Sequence, residues 1–112
     1  FLYSSLLTVR DFLGIKTPLI ISSSTGISDM HKGADRVLAI CKARGAREYI
    51  NPIGGTSLYS KEHFLSEGIK LGFLKMNDVR YEQFGDGFVP ALSILDVLMF
   101  NPVSRVRELL QD

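Results

Sequence analysis

The sequence predicts an α/β fold: a small three-stranded parallel sheet with flanking helices. Short apolar runs of strand length alternate along the chain with longer segments whose apolar residues recur at helical spacing. Strands that are separated by helices are joined by right-handed crossovers, which makes the sheet parallel. The 112 residues leave room for one domain, and an apolar fraction of 46% is sufficient for a core.

The predicted strands are Pro18–Ser22, Glu48–Asn51 and Lys70–Lys75. The first is a continuous apolar run, which is typical of a strand buried on both faces. The third alternates in polarity, so Ile69, Leu71 and Phe73 are expected on one face. Because three strands make a narrow sheet, we expect one edge to pair with missing sequence or with a partner.

Helical spacing predicts helices over residues 1–13, 28–44, 58–67, 94–100 and 103–110. Ser28 and Ser93 are the expected N-caps of the second and fourth helices, since a serine hydroxyl there accepts a hydrogen bond from a first-turn amide. A glycine ends each of the first three helices. Cys41 lies in an apolar helical pattern and is interpreted as a small buried hydrophobe rather than a nucleophile.

Composition excludes several classes of protein. A net charge of +1 argues against a nucleic-acid partner, which would require a strong basic excess. No apolar run reaches the roughly 18 residues of a membrane span, so no membrane partner is expected. A lone cysteine is typical of a reducing compartment, and no secretory signal is recognisable, which together favour a cytoplasmic location.

The chain begins with Phe1 rather than methionine, so we expect it to be part of a longer protein. The first helix and the 94–100 helix carry more apolar surface than a three-stranded sheet needs. Such surface favours either a homo-oligomer or contact with a missing N-terminal half. No pair of residues has the spacing of a metal site, and no cofactor is implied.

Two polar loops follow predicted strands, and both are expected at the same edge of the sheet. Ser22–Gly26 places hydroxyls before a helix, where they either hold an anion such as phosphate or merely cap the helix. Asn51–Thr56 contains Gly54 and Gly55, which either let the backbone approach a ligand or permit a tight turn. Neither loop has the glycine spacing of a nucleotide-binding fingerprint.

The candidate acid–base groups are His31, expected in the first turn of the second helix, and His63 on the third. Each is either a solvated surface histidine or a catalytic imidazole. The irregular segment 77–90 interleaves polar and aromatic residues, which suits stacking of a sugar or base but equally suits anchoring of a long loop. Ser93 and Asp96 fit the N-cap and N3 positions of the next helix, and capping is the favoured interpretation.

An ordered set of short stretches resembles the C-terminal half of the WbqC-like protein family, across nearly the whole chain. These are Lys16-Thr17-Pro18, Ser22-Ser23-Ser24, Asp35–Lys42 with Gly45-Ala46, Tyr49–Gly55 with Leu58-Tyr59, Tyr81-Glu82-Gln83 and Leu92–Asn101. The triple serine departs from the family pattern, which often has two serines and an acidic residue. Family members are about twice this length, which implies that the chain is a single α/β domain forming the C-terminal half of such a protein.

The resemblance implies a transferase of glycine or another aminoacyl group to an amino sugar, in bacterial surface-polysaccharide (O-antigen, lipopolysaccharide) synthesis. Its small-molecule substrate would be a sugar nucleotide. On this hypothesis His31 is the base and Asn51 an oxyanion donor, since N-acyl transfer needs both. The expected substrate-binding residues are Ser23, Ser24, Gly54 and Gly55 for a phosphate or sugar, and Tyr59, Tyr81 and Gln83 for the acceptor. The alternative is a sugar-nucleotide-binding or scaffold domain without chemistry, which the lack of an evident nucleophile fits equally well.

Overall fold

The structure is a computed structural model that describes residues 1–27 and 30–111. The helices are α1 (Leu2–Phe12), α2 (Gly33–Ala43), α3 (Lys61–Ser66), α4 (Ile94–Phe100) and α5 (Val103–Leu109), the strands are β1 (Glu48–Pro52) and β2 (Lys70–Leu74), and Ser22–Thr25 and Ile53–Gly55 are short 3₁₀ helices. The chain divides into two compact units. We call Ile20–Lys75 the sheet unit, and Phe1–Leu19 with the segment from Met76 onward the helical unit.

The two strands of the sheet unit are parallel, as predicted for this part of the chain. Tyr49 pairs with Leu71 and Asn51 with Phe73 in the register. The connection between β1 and β2 runs through α3, which packs on β2. The β-α-β arrangement of the second and third predicted strands is therefore confirmed.

The core of the sheet unit lies between the sheet and its helices. It consists of the buried residues Leu38, Cys41, Phe64, Ile69 and Leu71. Ile69 and Leu71 are buried and Phe73 is half-buried, which confirms the predicted alternation. Burial also raises the pKa of the Cys41 thiol, because desolvation disfavours the thiolate. Cys41 is thus the inert core residue that the sequence indicated.

The predicted strand Pro18–Ser22 is wrong: residues 15–21 have no regular secondary structure, and the sheet in the described part of the chain has two strands. The hydroxyls that follow explain the difference. Ser24 Oγ donates to the carbonyl of Ile21 at 2.7 Å, and Thr25 Oγ1 donates to that of Ser22 at 2.6 Å. Such local bonds compete with strand pairing and turn the chain into a 3₁₀ helix.

Two helices begin later than predicted. Gly33 has φ +53°, a left-handed value that a right-handed helix cannot run through, so α2 starts there. His31 therefore precedes α2 instead of lying in its first turn, and the predicted N-cap Ser28 lies outside the described residues. The start of α3 is set by Ser60, whose hydroxyl accepts from the His63 amide at 3.3 Å.

The helices of the helical unit lie close to their predicted positions. α1, α4 and α5 lie where the spacing predicts them, and Ser93 caps α4 by accepting from the Leu95 amide at 3.2 Å. Arg107 Nε donates to the carbonyl of Leu13 at 2.7 Å and so ties the end of α1 to α5. Leu13 and Val106 are the buried hydrophobic residues of this unit. Among the described residues, no helix has the length and apolar character needed to cross a membrane.

Candidate functional site

A groove at α2 and α3 contains both histidines of the chain. It has a volume of about 390 Å³ and is lined by His31, Asp35, Leu38, Ala39, Lys42, His63 and Glu67. We call this set the histidine groove. Leu38 is buried beneath it, while both imidazoles are exposed. The late start of α2 does not separate His31 from α3; instead His31 lines the groove from the segment that leads into α2.

Charged groups of both signs surround the two imidazoles. Lys42 Nζ forms an ion pair with Glu67 Oε2 across the two helices. The hydrogen bond and charge of Lys42 lower the pKa of Glu67, and the charge of His63 lowers it further. Asp35 adds a second carboxylate on the α2 side. Imidazole and carboxylate side chains are the usual general acids and bases of enzymes, so this groove has the groups for that chemistry.

Replacing Lys42 by alanine should raise the pKa of Glu67, because it removes the first two causes of the depression. A carboxylate whose folded pKa is depressed stabilises the fold above its unfolded pKa, and this is lost as the pH falls through the folded pKa. The Lys42→Ala variant should therefore lose less stability on acidification than wild type. Carboxyl ¹³C chemical shifts of Glu67 across a pH titration measure the shift directly; an unchanged titration midpoint would contradict the ion pair.

Three predicted site residues, Asn51, Gly55 and Tyr59, lie together in the sheet unit. Asn51 Oδ1 accepts from Tyr49 Oη at 2.8 Å, and its Nδ2 donates to the Pro52 carbonyl at 2.9 Å. A Cβ on the buried Gly55 would collide with the Asn51 amide and lie 3.2 Å from the Tyr59 ring. These residues form a packed cluster, in which the oxygen and the nitrogen of the Asn51 amide each make one hydrogen bond.

The remaining predicted residues of the sheet unit are more open. Ser23, Ser24 and Gly54 are exposed, and a Cβ on Gly54 would meet nothing within 4 Å. Because no strand precedes Ser22, the reason for expecting the two polar loops at one sheet edge no longer applies. Their joint role in holding an anion stays a prediction.

Tyr81 and Gln83 belong to the helical unit, where both bind one carboxylate. Tyr81 Oη donates to Asp96 Oδ2 at 2.5 Å, and Gln83 Nε2 donates to the same oxygen at 3.0 Å. The hydrogen bond to Asp96 raises the pKa of the Tyr81 phenol, because the carboxylate holds its proton. Asp96 was interpreted from the sequence as a capping residue; in the structure its side chain joins Tyr81 and Gln83.

Gln83 also fixes a loop. Its Oε1 accepts from the Val89 amide at 2.8 Å, while Nε2 donates to the Val89 carbonyl at 3.1 Å. The loop so closed carries Phe84 to one wall of a second groove, of about 500 Å³, lined by Gln83, Phe84, Val89, Leu92, Asp96, Met99 and Phe100. We call this the aromatic groove. The predicted site residues are thus divided between the two units.

The pairing of the two histidines was not predicted from the sequence. His31 and His63 were expected as separate residues, and His63 was not among the predicted site residues. Asp35 lies four residues after His31, and Glu67 lies four residues after His63. This shared spacing, about one helical turn, was the signal in the sequence that could have identified the pair. Within the described part of the chain, no group of three or more His, Cys, Asp and Glu side chains is arranged to hold a metal ion.

Comparison with known proteins identifies one family. The profile of the WbqC-like protein family matches residues 1–108, nearly the full chain. No curated protein and no solved structure matches the chain. The family resemblance of the short motifs is therefore confirmed over their whole extent. The chain belongs to the WbqC-like protein family.

Proposed function

We propose that this chain is part of a transferase that moves an aminoacyl group, with glycine as the first candidate, to an amino sugar linked to a nucleotide. The proposed setting is the cytoplasmic synthesis of bacterial surface polysaccharide. Membership of the WbqC-like family supports it. The observation that carries it is the presence of two exposed imidazoles, His31 and His63, in one groove with carboxylates and a lysine.

The chemistry requires little beyond a base, an acid and a binding surface. The amine nitrogen of the sugar attacks the carbonyl carbon of an activated aminoacyl donor and forms the amide bond, while the bond to the donor's leaving group breaks. One imidazole accepts the proton that the amine loses, and the other returns a proton to the leaving group. We assign the base to His31, as the sequence suggested, and the acid to His63.

Oxyanion stabilisation needs a revised assignment. One N–H of the Asn51 amide donates to the Pro52 carbonyl and its oxygen accepts from Tyr49, so only its second N–H is left for a developing charge. The Lys42 ammonium lies in the groove and can shift from Glu67 toward an oxyanion. Tyr81 and Gln83 bind Asp96 within the helical unit, and this proposal gives them no part in the transfer.

A transfer assay with variants tests these roles. The protein is incubated with nucleotide-linked amino sugars and activated aminoacyl donors, and the products are weighed by mass spectrometry. His31→Gln and His63→Gln should each slow product formation by about a hundredfold or more, the range for a general acid or base. Arg44→Gln, an exposed change outside the groove, is the matched control and should act as wild type. Full activity in both histidine variants would refute the assignment.

The alternative is a binding domain without chemistry. The internal hydrogen bonds of Asn51 and Gln83 favour it, because both side chains are engaged in structural contacts. The two functions give different results in the same experiment. A binding domain retains the sugar nucleotide in an equilibrium titration but yields no heavier product with any donor.

A further inference from the structure

We infer that the aromatic groove of the helical unit binds small organic ammonium ions, in which an apolar body carries a positively charged amine. The groove shares no residue with the histidine groove, and the inference does not depend on the proposed transfer reaction. Its volume of about 500 Å³ falls in the range of small-molecule sites. The chemistry of its walls defines the class of ligand.

The groove contains one formal charge. Asp96 is the only ionisable carboxyl, amine, guanidinium or imidazole side chain among its lining residues. Tyr81 and Gln83 hold its Oδ2 at 2.5 and 3.0 Å, but both are neutral donors that fix the carboxylate without compensating its charge. No lysine, arginine or histidine of the described chain forms an ion pair with it. A cationic ligand would supply the missing charge partner.

The rings beside Asp96 favour the same class. Phe84 and Phe100 meet edge to face, with centroids 4.8 Å apart and an interplanar angle of 71°. The Tyr81 ring lies 6.5 Å from Phe100. Faces of aromatic rings attract cations within roughly 6 Å of the centroid, and they stack on apolar bodies. Two rings at a steep angle therefore form a corner that suits an ammonium group and its substituents.

Two large apolar side chains of the aromatic groove are left exposed by the fold. Phe84 is 92% exposed and Met99 84% exposed, although large apolar side chains gain stability by burial. The double hydrogen bond between Gln83 and Val89 closes the loop that bears Phe84, so the exposed ring has a defined position. An anion would be repelled by Asp96, because no cationic side chain lines the groove. A neutral ligand would leave the Asp96 carboxylate without an opposite charge.

The test compares a cation with its neutral analogue. Benzylammonium and benzyl alcohol are titrated into the protein, with binding followed by NMR shifts of the Phe84, Leu92 and Phe100 signals. We expect saturable shifts with the ammonium ion at a lower concentration than with the alcohol. Equal affinity for both probes, or shifts confined to residues outside the aromatic groove, would overturn the inference.

Three variants separate the charge from the rings. Asp96→Asn should weaken benzylammonium binding by about tenfold and leave the alcohol nearly unaffected, as expected for loss of a charged hydrogen bond. Phe84→Leu removes an exposed ring at little risk to folding and should weaken the ammonium ion by about threefold. Asp86→Asn removes a loop carboxylate that does not line this groove and should change nothing. Unaltered affinity in both Asp96→Asn and Phe84→Leu contradicts the inference, whatever the transfer assay shows.

Discussion

Replacement of Phe64 by alanine should lower the free energy of unfolding by roughly 3–5 kcal/mol, the usual cost of deleting a buried aromatic ring. Phe64 is 0% exposed, the most buried residue of the core. Its ring stacks on Tyr49 at 5.8 Å and meets Tyr59 edge to face at 5.9 Å. The substitution would therefore leave a cavity among α2, α3 and the sheet, and remove two aromatic contacts together.

Urea denaturation followed by circular dichroism measures this loss. The adjacent Leu65 is the control, since it lies on the same helix but is 69% exposed. Leu65→Ala should change the unfolding free energy by about 0.5 kcal/mol or less. If both variants unfolded at the same urea concentration, Phe64 would not be the centre of the core.

The second large effect is expected at Gly55. A valine there would place its Cβ against the Asn51 amide and the Tyr59 ring, and its methyl groups would crowd them further. Since two hydrogen bonds hold that amide, we expect Gly55→Val to cost roughly 1–3 kcal/mol through overpacking. The backbone is not the reason, because the φ of Gly55 is outside the left-handed region.

Gly54 provides the matched control, because it directly precedes Gly55 in the same 3₁₀ helix and its Cβ position is open. Thermal melts of Gly54→Val and Gly55→Val should differ clearly, with the first close to wild type. A titration of sugar nucleotide into each variant then shows whether the substitution also changes the affinity for the ligand, separately from its effect on stability. Equal stability of the two variants would show that the close approach of Gly55 to Asn51 is not structurally important.

Patterns with a clear period predicted the fold well, and an apolar run without one did not. The alternation of Ile69, Leu71 and Phe73 predicted β2, because residues two apart in a strand share a face, and the structure shows that this face meets the core. The run at Pro18–Ser22 has no such alternation, and an apolar run that short does not by itself determine a strand. The local hydrogen bonds of Ser24 and Thr25 decided the outcome instead.

The candidate site was less predictable, because side chains far apart in the sequence form it. His31 and His63 share a groove only because the fold brings the segment before α2 next to α3, and the spacing from each histidine to its carboxylate does not by itself predict this. Likewise, Asp96 has the position of a capping residue in the sequence, yet its partner Tyr81 is 15 positions away in the chain. Glycine at 55 was identified, but its reason, contact with Asn51, required the structure.

We expect the histidine groove to receive the amino-sugar substrate. The most direct measurement is an NMR titration of the protein with a nucleotide-linked amino sugar, in which the imidazole signals of His31 and His63 are followed. Both signals should shift together and saturate at one dissociation constant, because both rings line one groove. Imidazole signals that stay unchanged while the protein binds the same compound would contradict it, since the substrate would then lie elsewhere.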